Sequence, residues 1–104
     1  MMEAKIVAEN FRNECLTMLD RPGLSPELEY RMRKILDRFL PLMDKMYLKT
    51  VKGTETVSLC IAKAKKVGDH VGADDETLYK LLTDLENTHE DFLNRAYEFR
   101  IKAG

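Results

Sequence analysis

Two sets of side chains in this sequence are of types that do chemistry. Glu86 and His89 stand three residues apart in a segment whose apolar positions recur at helical spacing. Side chains at i and i+3 project from the same side of a helix, so this pair could offer a carboxylate and an imidazole to one metal ion. Cys15 and Cys60 are the two thiols. Neither has a histidine at nearby helical spacing, and neither lies at a helix start or glycine-rich turn that would lower its pKa and make it a nucleophile. Each sits inside an apolar helical pattern, which reads as a core thiol, although their separation would also accommodate a disulfide.

The Glu-x-x-His spacing resembles the ligand motif of ferritin-like di-iron bundles, which need two such motifs and further inward carboxylates. It occurs once here, since the other histidine, His70, has Val67 three residues earlier. A metal site therefore requires two copies of the chain, and the plainer expectation is that His89 sits at the edge of a helical seam, hydrogen-bonded to a neighbour or water. No metal ligand and no cofactor is assigned. The segment Ala62–Ala73 is similar, through Lys65 and the Val71-Gly72-Ala73 ending, to the active helix of histidine phosphotransfer domains. Ala62 stands where that family carries its phosphorylated histidine, and Lys66 replaces a small glycine. The function is not carried over. A phosphate-binding glycine loop, a Gly-x-Ser-x-Gly elbow and a zinc-protease motif are all missing, so no catalytic residue is named and the chain is expected not to be an enzyme.

The elements that would position these residues are helices. Ala4, Val7, Ala8, Phe11, Cys15, Met18 and Leu19 lie on one stripe, and Arg21-Pro22-Gly23 ends that helix near Asp20. Ser25, Pro26, Glu27 and Glu29 then make a clear helix start. Leu28, Met32, Ile35, Phe39, Leu42 and Met46 stay in phase across Pro41, which predicts a second helix kinked near Pro41 and closed by Lys49, Lys52 and Gly53. Thr54 is the expected cap of a third helix with Val57, Cys60, Ile61, Ala64 and Val67 inward, ended by Gly68 and Gly72. Acids at Asp74, Asp75 and Glu76 and cations at Arg100 and Lys102 bound a long fourth helix, whose stripe is Leu78, Leu82, Leu85, His89, Phe92, Ala96 and Phe99. The fold class expected is all-α, a small antiparallel bundle of three to four helices forming one domain over residues 1–104.

Charge divides the chain. From Arg31 to Lys66 there are ten basic residues against Asp37, Asp44 and Glu55, and from Asp69 to Asp91 eight acids against Lys80. Arg31, Lys34, Arg38, Lys45 and Lys49 would share one side of the second helix and form a partner-binding ridge. That ridge could face an acidic protein or a phosphate backbone, or it could complement the acidic fourth helix of the same bundle. A pI near 6.1 and the lack of a groove-entering motif leave nucleic acid possible but not favoured.

Hydrophobic residues at 44% and charged residues at 34% describe a folded domain with a charged surface, not a disordered tail. The first residues lack the apolar core of a secretory signal, and no window is apolar enough to span a bilayer, so a cytoplasmic protein without a membrane role is the default. No small-molecule substrate is evident. What remains is a non-catalytic protein-protein interaction module: an adaptor, chaperone or inhibitor of a larger protein, or a homodimer. The alternatives are a nucleic-acid accessory protein using the ridge and a metal-binding bundle using Glu86 and His89.

Overall fold

Helical periodicity is realised in four α-helices: α1 (Ala4–Leu19), α2 (Pro26–Phe39), α3 (Val51–Asp69) and α4 (Asp75–Ala103). Short 3-10 turns at Leu40–Leu42 and Met46–Lys49 link α2 to α3. The computed structural model describes residues 3–72 and 74–103, with side chains as far as Phe99. Among the described residues there is no strand, and no helix is long and apolar enough to cross a membrane.

The buried faces are the predicted stripes. Val7, Phe11, Cys15 and Met18 of α1 meet Val57, Cys60, Ala64 and Val67 of α3 and the Leu78-Leu82-Leu85-Phe92 line of α4 in one apolar cluster. Helix α3 lies between α1 and α4 and makes the most extensive contacts with both. Phe11 and Phe39 meet edge-on at 4.8 Å, bringing α1 against the last turn of α2. The four helices form the expected antiparallel bundle. Its long dimension of 44 Å is set by α4, whose 29 residues span about 43 Å at ~1.5 Å per residue.

Start signals read from the sequence work locally. The Ser25 hydroxyl accepts from the Leu28 N–H at 3.2 Å, with Pro26 in the first turn where its missing N–H costs nothing. The kink expected near Pro41 is instead an exit: the α-helical ladder stops at Phe39 and tightens into a 3-10 turn. A proline at 41 cannot donate to the carbonyl of Asp37 and crowds it, which favours this exit.

Beyond Pro41 four expectations are corrected. The second helix does not run to Lys49, Lys52 and Gly53; Lys45 is extended, and Lys52 and Gly53 lie in the first turn of α3. Met46 is not a core residue but is 66% exposed. The cap of α3 is Thr50, not Thr54: Thr50 accepts from the Gly53 N–H at 3.0 Å and donates to the Tyr47 carbonyl at 2.7 Å, while Thr54, already helical, donates to the Leu48 carbonyl at 2.8 Å. The reason is tertiary, since this path buries Tyr47 and Leu48 under the end of α4. Thr50→Ala should cost about 1–2 kcal/mol, measured by urea unfolding, because it removes an N-cap and a second hydrogen bond together. Gly68 does not end α3 but lies buried within it, and the turn out of α3 is made by Gly72 at φ +96°, a region that side chains disfavour.

Candidate functional site

The two chemistry-bearing pairs take separate fates. Both cysteines are free and buried, and burial pushes each thiol up to about 12, so neither is a nucleophile near neutral pH. Glu86 and His89 both line a small pocket of about 150 Å³ between α2 and α4. The Glu86 carboxylate, however, accepts two hydrogen bonds from the Arg31 guanidinium. Among the described residues no group of three or more His, Cys, Asp or Glu is placed to hold a metal.

His89 is not at the edge of the seam, as its sequence context suggested, but within it. It is 2% exposed, among Phe11, Phe39 and Phe92 at centroid distances of 6.0, 6.1 and 6.5 Å. Its Nε2 is buried with no hydrogen-bond partner among the described residues. Burial, with Arg38 nearby, pushes the imidazole down to about 4, against a weaker opposing pull from Glu90. At neutral pH the ring is therefore uncharged.

The five residues of the basic ridge are not one surface. Arg31 is held by Glu86 and also reaches Thr83 at 3.2 Å and the face of Tyr79 at 5.6 Å. Arg38 pairs with Glu90 at 2.8 Å. Lys34 lies over the Tyr30 ring and donates to its hydroxyl at 3.2 Å. Lys45 and Lys49 fall after α2 has ended, so the steps of three and four that aligned them no longer apply. On the other flank of α4, Lys63 of α3 pairs with Asp84 at 2.9 Å and donates to Thr88 at 2.7 Å. Part of the division of charge along the chain is thus answered within the bundle, α4 lying between Arg31 and Arg38 of α2 and Lys63 of α3. Such exposed pairs contribute about 0–1 kcal/mol each, and their value is more in register than in stability.

A groove at the far end of α4 was not legible in the sequence. Helix α2 accompanies α4 only as far as the Arg38–Glu90 pair, because its 14 residues span about 21 Å. Past that point, α4 and the two 3-10 turns enclose a groove of about 710 Å³. Its apolar surface comes chiefly from Leu42, Met46, Tyr47, Leu93, Tyr97 and Phe99, and among the described residues its charged members are Arg38 and Lys45. Tyr47 packs on Phe92 at 5.6 Å and Phe99 at 5.7 Å. Met46 and Tyr97, 66% and 65% exposed, stand at the mouth. Met46, which periodicity assigned to the core, is the residue of this site that the sequence misplaced.

No family model matches this chain, and no match is found among curated proteins or solved structures.

Proposed function

We propose that this chain is a non-catalytic helical module that acts through protein contact, as an adaptor, chaperone or inhibitor of a larger protein, with the groove at the α4 end as its contact surface. The observation that carries this reading is the pairing of a groove of about 710 Å³ with large apolar side chains left in water at its mouth, Met46 and Tyr97. Contiguous apolar surface of this kind marks interaction sites, and aromatic residues and methionine are enriched where partners bind. The ridge is a weaker support for binding, because Arg31 and Arg38 are already engaged by Glu86 and Glu90. A cytoplasmic setting belongs to the same proposal, in keeping with two cysteines held as free thiols.

A photo-crosslinking amino acid placed at Tyr97, with Ile6 on α1 as the exposed control, tests the proposal in lysate of the source cells. Discrete protein adducts from position 97 and none from position 6 are expected. Equal labelling at the two positions, or no adduct from either, would remove the groove as a contact surface.

A further inference from the structure

Resting on that reading, we infer that the groove takes an amphipathic α-helix with an acidic flank, supplied by a different protein, which completes the helical layer that α2 leaves unfinished. The geometry begins with a mismatch of lengths. Helices α2 and α4 are bridged at Arg31–Glu86 and Arg38–Glu90, after which α2 gives way at Phe39 while α4 continues to Ala103. Glu86, Glu90, Leu93 and Tyr97 are separated by steps of four, three and four, so Leu93 and Tyr97 lie on the strip of α4 that α2 covers earlier. The groove over that strip is a gap in a helical layer. A rod of helical diameter fits such a gap, and a helix reads a groove through apolar anchors at i, i+3, i+4 and i+7.

The lining states what the incoming helix must carry. Met46 is unbranched and adaptable, and Tyr97 offers a large face with few rotatable bonds, both suited to an aliphatic or aromatic anchor. Among the described residues the charged members of the lining are Arg38 and Lys45, and no carboxylate contributes to it. Arg38 is occupied by Glu90, whereas Lys45 has no ion-pair partner among the described residues. An acidic side chain on the helix would meet Lys45, and a basic one would meet repulsion. The same charge disfavours a second copy of this chain: a two-fold dimer sets the groove against its own copy, and a lining with cations and no carboxylate among the described residues is not self-complementary in charge.

The probe is a synthetic amidated peptide of about 16 residues, long enough for four turns, with leucines at helical spacing and glutamates along one flank. Two controls carry lysine for each glutamate or the same residues scrambled. Binding is followed by anisotropy of the labelled peptide and by the methionine methyl resonances of the protein. The glutamate peptide should move the Met46 methyl while those of the core residues Met18 and Met32 stay in place. Tyr97→Ala should weaken binding by about tenfold and Lys45→Glu by about fivefold, with added salt reducing affinity. Both substituted side chains are exposed, and circular dichroism checks that the fold survives. Equal binding of the lysine or scrambled peptide would overturn the inference, as would binding that leaves Met46 unmoved. Crosslinks from position 97 without any affinity for the glutamate peptide would leave the contact module standing and remove its acidic helical partner. A mass that doubles with concentration while Met46 shifts without peptide would make a second copy the occupant and overturn the inference too.

Discussion

Gly53→Ala should destabilise the protein by about 3 kcal/mol, reversing the sign of a substitution that in an exposed helix stabilises by about 1 kcal/mol. Gly53 is buried in the first turn of α3 against the backbone of the preceding 3-10 turn. A Cβ built there overlaps the Tyr47 carbonyl oxygen, comes within 2.9 Å of its carbon and lies 3.1 Å from the Leu48 Cα. These are main-chain atoms, so relief cannot come from a rotamer change. The turn itself must move, and with it the buried rings of Tyr47 and Leu48's side chain under the end of α4. Urea unfolding followed by far-UV circular dichroism measures the effect. A stability equal to or above that of the parent protein would show that the turn does not sit against α3 as described. A loss of groove binding out of proportion to the loss of helicity is also expected, since the same turn forms one wall of the groove.

Acid should weaken the fold through His89, by about 2 kcal/mol between pH 7.5 and pH 5.0 and about 3 kcal/mol in full. The folded-state pKa near 4 lies below the ordinary 6.5 because the ring is buried among Phe11, Phe39 and Phe92, with Arg38 adding to the depression. The unfolded chain therefore takes up the proton first as pH falls. The stabilisation is whole above about 6.5 and is lost as pH drops toward 4. His89→Leu removes both the titration and a buried nitrogen with no partner among the described residues. The variant should be more stable at pH 7.5 by about 1–2 kcal/mol and should lack the extra pH dependence in this window. Glu90 and Asp74, whose pKa values are lowered by Arg38 and by Thr77 respectively, act at lower pH, and the difference between the two proteins cancels them. Parallel pH profiles for the parent and His89→Leu would show that the imidazole is not dry in the folded state.

The class of fold and the inward face of α1, α3 and α4 were readable because burial and helical periodicity are the same fact there. Leu78, Leu82, Leu85, Phe92 and Ala96 return every three or four residues, and each is buried. Ser25 and Pro26 were readable for a similar reason, since capping is completed within one turn of chain. The site was not. Lys34 and Arg38 were correctly placed on α2, but neither what answers Arg31 and Arg38 nor the separation of Lys45 and Lys49 from that helix can be taken from spacing alone.

Sequence by itself determined that four amphipathic segments would bundle, because each carries an apolar stripe that water disfavours at any position in space. Tertiary structure alone decided where α2 ends, which of Thr50 and Thr54 caps α3, that Met46 faces solvent, and that His89 lies wholly inside without a partner for Nε2 among the described residues. Pro41 permits a kink or a stop at nearly the same local cost. The choice between them rests on Tyr47 and Leu48, whose turn finds cover against α1, α3 and α4, elements that are distant along the chain or not yet begun when the proline is reached.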